Sequence, residues 1–291
     1  MLRLIAQCAA ALCALLLLTS CGGGGSTSSV NIYLADAPID AASSVNISLT
    51  EIDITGDAGT SYFQAPATTL NFYQLQGGLS QFLLGADVSA GHYSSITLHF
   101  AAAPGTTDSN ITFIGGNTYP LVIPSGAPTA FTLPVNFYLT QNGTANYTID
   151  LDLRKSIIPD PTNPGQYILQ PSLRVVSDAE AGSISGSVAN TLVTSGCSGA
   201  VYVYSGKVTP TDVNINAPPG TVQPISSALV GINSTTAQYN FTVGWLPPGL
   251  YTVAFTCQAA QDNPTQTDNI SFTSVLTTTV AAGQTSFVNL N

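Results

Sequence analysis

Asp150 and Asp152 stand two apart in the apolar run from Tyr147 to Leu153. On an extended strand that spacing puts both carboxylates on one face. There they could act as an acid–base pair or as half of a cation site, provided a second carboxylate source lies opposite. Arg154, placed on the same face, offers the simpler role of partner to them. The stretch Asp262-Asn263-Pro264-Thr265-Gln266-Thr267-Asp268-Asn269 is rich in oxygen and could hold Ca²⁺. It lacks the spacing of a calcium loop, and a solvated turn is the plainer reading. The two histidines read as surface residues, His92 at a turn and His99 on the polar face of a strand. The sequence holds no Gly-x-Ser-x-Gly elbow, no phosphate loop and no zinc helix motif. No catalytic residue, metal ligand or cofactor is therefore expected.

Aromatic side chains are the remaining candidates. Trp245 is the only tryptophan and precedes the turn Pro247-Pro248-Gly249. Tyr202, Tyr204 and Tyr239 fall on strands near it in order. Flat rings with polar neighbours bind sugars, but tyrosine and tryptophan are also half-buried in any β-sandwich. Both readings stay open. Of the five cysteines, Cys8 and Cys13 lie in the apolar N-terminal run and Cys21 closes it. Cys197 and Cys257 remain, an even pair suited to a disulfide in an oxidising compartment. A metal site would want four ligands at closer spacing.

Strands must position these residues, because the prevailing period is two. Val30, Ile32 and Leu34 alternate with polar or small residues. Val45, Ile47 and Leu49 are apolar on odd positions, then Ile52 and Ile54 on even ones, which predicts a β-bulge near Thr50-Glu51. Leu79 to Leu84 reads as a short helical turn. Ile96, Leu98 and Phe100 point inward with His99 outward. Asn117 to Pro124 reads as a hairpin arm after Gly115-Gly116. Phe131 to Leu139 and Tyr147 to Leu153 are long strands, and Ser205 to Gln223 is a long loop. The expected fold class is all-β, two tandem antiparallel β-sandwich domains at 30–179 and 180–291, separable at the Asp178–Gly182 join.

The chain carries five basic and fifteen acidic residues, a net charge of −10 that becomes one unit more negative once Arg3 leaves. That excludes nucleic acid, whose binding depends on neutralising phosphates with Lys and Arg. Charged residues make up 7% of the chain, far below the roughly 25% of an average soluble domain. Thr, Ser, Asn and Gln supply the polarity instead, as in extracytoplasmic β proteins.

Leu4 to Leu18 is an apolar run of about 15 residues, short of the roughly 20 that span a bilayer. It reads as a signal-peptide core, giving a signal peptide at 1–20. The closing Leu18-Thr19-Ser20-Cys21 resembles the lipobox of bacterial lipoproteins. The resemblance implies acylation of the Cys21 thiol, cleavage before it and a membrane partner through N-terminal lipid. A plain secretory peptide with a chance cysteine is the alternative. Residues 21–29 then form a Gly/Ser tether reaching about 16 Å as a random coil. Gly22 in place of Asp after the cysteine implies, by resemblance to Gram-negative sorting, the outer membrane.

Leu34-Ala35-Asp36-Ala37-Pro38, Gly77-Gly78, Leu83-Leu84-Gly85, Ala90-Gly91-His92-Tyr93, Asp150-Leu151-Asp152 and Pro171-Ser172-Leu173-Arg174-Val175 occur in an order that resembles the bacterial lipoprotein family termed domain of unknown function 4382. That family carries no established activity. From Gly182-Ser183-Ile184 through Pro247-Pro248-Gly249-Leu250-Tyr251 to Phe287, the second part resembles the carboxypeptidase regulatory-like, or transthyretin-like, β-sandwich. Superfamily schemes place that sandwich with starch-binding modules, an analogy of fold only. Two functions fit: a tethered, non-enzymatic binding or adhesion module for glycans, with Trp245, Tyr202, Tyr204 and Tyr239 as contact residues, or a structural envelope protein that contacts other envelope proteins and binds no small ligand.

Overall fold

The computed structural model describes residues 27–66 and 69–291. The apolar run, Cys21 and the glycines after it lie outside those residues. Among the described residues no helix is long and apolar enough to cross a membrane.

The first part of the chain forms β1 (Ser28–Ala37), β2 (Ala42–Gly56), β3 (Gly59–Gln64), β4 (Leu70–Asn71), β5 (Gln81–Val88), β6 (Gly91–Ala101), β7 (Asn110–Phe113), β8 (Thr118–Val122), β9 (Ala130–Leu139), β10 (Thr144–Asp152), β11 (Ile157–Pro159), β12 (Tyr167–Leu169) and β13 (Leu173–Ser177). One sheet runs β13-β10-β1-β5 and the other β11-β12-β8-β7-β2-β6-β9, with β3 and β4 paired to β2. Val30, Ile32, Ile47, Ile52, Ile96, Ile111 and Ile149 meet between them without solvent exposure. The alternation of β1 and β2 sets this core, since every second side chain points to it.

The second part forms β14 (Gly182–Val188), β15 (Ala200–Ser205), β16 (Ser226–Leu229), β17 (Gly231–Asn233), β18 (Gln238–Leu246), β19 (Gly249–Thr256), β20 (Ser274–Val280) and β21 (Thr285–Leu290). Its sheets are β17-β18-β14-β21 and β16-β15-β19-β20. The second of these is covered on both faces. Val201, Val203, Val253 and Phe255 enter the core between the sheets. Tyr202, Tyr204 and Ala254 face the other way, under Val208, Val213 and Val222 and under Ile270 and Phe272 from two long loops.

The bulge is present, with the β2–β6 register shifting between Leu49 and Glu51. The glycine hairpin joins β7 to β8, with positive φ at both Gly115 and Gly116. No helical turn forms at Leu79–Leu84, and from Gln81 on the segment is strand β5. Gly77 and Gly78 turn the chain with φ of 69° and 84°, and β5 then pairs with the free edge of β1. Pairings are mostly antiparallel, but β1–β10, β12–β8 and β14–β21 are parallel.

Cys197 and Cys257 are joined by a disulfide across 60 residues. A loop of that length gives roughly 4 kcal/mol in the chain-entropy account. Thiol labelling of the unreduced chain is expected to find neither cysteine free, and reduction to lower stability by up to about that amount, read by denaturant titration. Labelling of both without reductant would refute the bond.

Candidate functional site at the junction of the two sandwiches

The chain has five basic residues, and three of them meet at one junction. Each binds a carboxylate of the first sandwich and a backbone carbonyl of the second. Arg154 lies 2.6 Å from Asp40 and donates to the Ala259 carbonyl at 3.1 Å. Lys155 lies 3.3 Å from Asp152 and donates to the Pro224 carbonyl. Arg174 lies 2.5 Å from Asp150 and donates to the Trp245 carbonyl. The pairing expected of Arg154 is thus corrected. The strand ends at Asp152, whose carboxylate caps a single helical turn, Leu153–Ser156, by accepting the Lys155 amide. That turn rotates Arg154 away from Asp150 and Asp152 and toward the second sandwich.

Arg154 is 4% exposed. Burial opposes its charge, but the neighbouring oxygens of the Tyr202 phenol and the Asp40 carboxylate outweigh that and hold it firmly protonated. Its guanidinium carbon sits 5.2 Å from the Tyr202 ring centroid, a cation–π distance.

Asp36 lies behind these pairs, in register between the residues that oppose Asp150 and Asp152 on β10. It is 7% exposed and neither of its oxygens has a hydrogen-bond partner. Burial, and then the charges of Asp150 and Asp152, push its carboxyl well above the ordinary value of 3.8. The folded chain therefore binds a proton there more tightly than the unfolded chain. Its stabilising contribution is complete below pH 3.8 and is lost as pH rises through the raised value. Asp36→Asn is expected to be more stable than the parent at pH 7, with the difference vanishing near pH 4. Urea titrations at the two pH values check this; an equal gap at both would contradict it.

Trp245 hangs over the same junction. Ser183 on β14 faces two residues of β18, Gly244 and Trp245, because the register shifts between Gly182 and Ile184. Trp245 takes φ of 57° in that bulge, a strained region for a bulky side chain. The Arg174 bond to its carbonyl holds the conformation, and its indole Nε1 donates to the Leu79 carbonyl at 3.4 Å. Gly78 and Gly244 make a backbone contact beside it. A Cβ on Gly244 would stand 2.5 Å from the Gly78 Cα.

These elements line a shallow, open hollow of about 310 Å³, at the small end of ligand sites. Its lining is uncharged: glycines 77, 78, 182, 244 and 283, the hydroxyls of Ser183, Ser185, Thr242 and Thr285, the Gln284 amide and the Trp245 ring. The hydroxyls are paired as Ser183 with Thr285 at 2.7 Å and Ser185 with Thr242 at 2.9 Å, and each keeps further capacity to donate or accept. A larger cleft of about 520 Å³ opens beside Asp150, Asp152, Lys155 and Arg174. Its charges are already spent on one another and on the second sandwich.

The other three aromatic candidates do not join Trp245. Tyr202 and Tyr204 are fully buried. Their hydroxyls donate to Asp262 at 2.5 Å and to the Thr211 carbonyl, so neither ring offers a face to a ligand. The cause is the double cover over β15, which the alternating sequence does not show. Tyr239 is half-buried against the second core, six residues along β18 from Trp245, or about 20 Å at strand rise. In the Asp262–Asn269 loop, Asp262 and Asp268 approach Asp212, and their oxygens accept the amides of Val213, Asn263 and Asp268 and the Tyr202 hydroxyl. Those bonds close a turn.

Asp36, Asp40, Lys155, Arg174, Gly78 and Gly244 were not read from the sequence as site residues. The scarcity of cations was the available signal. Where a chain has so few, a cluster of three within 154–174 marks a place that needs them.

No curated protein matches the chain. Solved structures that match include a leucine-rich repeat protein from Bacteroides thetaiotaomicron (13% identity, 91% of this chain, 26% of that one, TM-score 0.22). Others are the TIE protein of Bacillus anthracis (13%, 91% of this chain, 39% of that one, 0.19) and the fimbrial anchor protein Mfa2 from Porphyromonas gingivalis (9%, 87% of this chain, 99% of that one, 0.18). The chain spans well under half the length of the first two. Superpositions this loose carry nothing about topology or partners. The family model described as domain of unknown function (DUF4382) covers residues 27–171, the first sandwich almost to its end. It takes in Asp36, Asp150, Asp152, Arg154 and Lys155, and on this match the first sandwich belongs to the DUF4382 family.

Proposed function

We propose that this chain is a non-enzymatic lipoprotein of the bacterial envelope, held at the outer membrane through acylated Cys21. It works as a tethered adhesion module whose Trp245 hollow takes an uncharged saccharide. The observation that carries this reading is the hollow: the one tryptophan of the chain, strained and fixed by Arg174, beside four hydroxyls, an amide and a glycine floor with no charge. Stacking on the indole must supply much of the binding energy, since the lining has no ion to offer. The junction holds both walls of the hollow together, as a rigid binding site requires.

A glycan array with the chain from residue 27 on tests the reading, with Trp245→Ala as control. The parent is expected to bind neutral glycans and the variant to lose at least tenfold in affinity. The melting temperature should stay within about 2–4 °C, as for a loss near 1 kcal/mol in a chain of this size. A parent that binds no glycan would refute the saccharide and leave a structural envelope role. Release of Cys21→Ala from the membrane fraction tests the anchor separately.

A further inference from the structure

We infer, resting on the saccharide reading of the Trp245 hollow, that the outer face of the sheet β17-β18-β14-β21 continues that hollow as a track for a neutral oligosaccharide, with Phe287 as its second stacking ring. The four strands carry no Asp, Glu, Lys, Arg or His. On β14 Ile184 and Val188 are buried in the core, so Ser183, Ser185 and Ser187 beside them point outward. Strand β21 lies parallel to it, with Thr285 opposite Ser183, Phe287 opposite Ser185 and Asn289 opposite Ser187. The row begun by the Ser183–Thr285 pair resumes where Ser187 donates to Asn289 at 2.9 Å. Its middle position breaks the pattern. Phe287 stands where a hydroxyl or amide would close the row, and Ser185 turns across to Thr242.

Phe287 is 80% exposed, more than any other large apolar side chain among the described residues. Val288 and Leu290 already anchor β21 in the core, so the fold has no need of the phenyl ring for packing. It stands on an edge strand, where exposed apolar side chains are a liability. A flat ring held beside hydroxyls and amides suits a sugar, whose faces are apolar and whose rim is polar. Trp245 lines the hollow together with Ser183, Ser185 and Thr285, so the two rings bracket one row. Strand spacing and rise put their backbones about 12 Å apart, two strands across and two residues along. A single sugar ring cannot touch both, whereas a chain of several units can.

Calorimetry on the full chain in a sugar-free detergent tests the track with length series of an α-1,4-glucan, a β-1,4-glucan and a β-1,4-mannan, each from disaccharide to hexasaccharide. In the series that binds, affinity is expected to rise at least tenfold with length. Phe287→Ala should abolish that gain while leaving the disaccharide affinity and the melting curve unchanged. Phe287→Tyr, which keeps a flat face, should retain the gain, and Phe287→Leu, apolar but not flat, should lose it. Should Phe287→Ala fold poorly, Phe287→Leu gives the same reading. Saccharide binding that does not strengthen with length, or a gain that Phe287→Ala or Phe287→Leu retains, overturns the track and leaves the Trp245 hollow standing. No binding at any length in any series overturns both. A parent dimer that Phe287→Ala dissociates in sedimentation, with no dependence on saccharide length, also overturns the track and assigns the ring to pairing of two copies along β21.

Discussion

Arg154→Ala is expected to lower the stability of the chain by about 3–5 kcal/mol, the cost of leaving a buried ion pair half made. The substitution strands the Asp40 carboxylate, 14% exposed, and the Ala259 carbonyl in the space the guanidinium filled. It also removes the cation from the Tyr202 ring. Because Trp245 is the only tryptophan, its emission reports the junction while far-ultraviolet dichroism reports the strands. In the parent both should unfold together; in the variant the tryptophan transition should come first. Pairing Arg154→Met with Asp40→Leu should recover much of the loss, since no unpaired charge remains. A loss under about 1 kcal/mol with coincident transitions would show that the junction does not depend on Arg154.

Gly244→Ala is expected to pry the sandwiches apart without unfolding either. Its Cβ would meet the Gly78 Cα at 2.5 Å, backbone against backbone, with no flexible side chain to yield. Such overpacking costs about 1–3 kcal/mol. The expected signs are a red shift of Trp245 emission and proteolytic cleavage near Asp178–Gly182, with the strand signal retained. Gly231→Ala is the control, since a Cβ there meets nothing within 4 Å, and it should change stability by under about 0.5 kcal/mol. An unshifted emission in Gly244→Ala would mean that the two backbones are free to slide past each other.

The strands were legible in the sequence because burial on one face imposes a period of two, and Val30, Ile32, Leu34, Ile96 and Leu98 obey it. The bulge was legible for the same reason, as a change of phase. The disulfide followed from counting. Tyr202 and Tyr204 were not legible as core, because the loops that cover them follow no period and their contact is set by tertiary packing. Nor was the junction. Arg154 read as a partner of Asp150 and Asp152, Lys155 and Arg174 carried no local signal of a role, and only the helical turn at Leu153–Ser156 shows that Arg154 leaves that face. The Trp245 site was half legible. Its composition and neighbouring turn marked it, but the first sandwich supplies Gly77, Gly78 and the Leu79 carbonyl, and nothing local in the sequence announces partners so far away.

Titration of Trp245 emission with the neutral oligosaccharides that the array selects tests most directly whether both sandwiches build the binding site. The parent chain should give a saturable change in intensity or wavelength. Gly244→Ala, which keeps the indole but displaces the Gly77-Gly78 wall, should bind at least tenfold more weakly. Saccharide binding that leaves the emission of the parent unchanged, or an affinity that Gly244→Ala does not alter, would contradict a site at the junction.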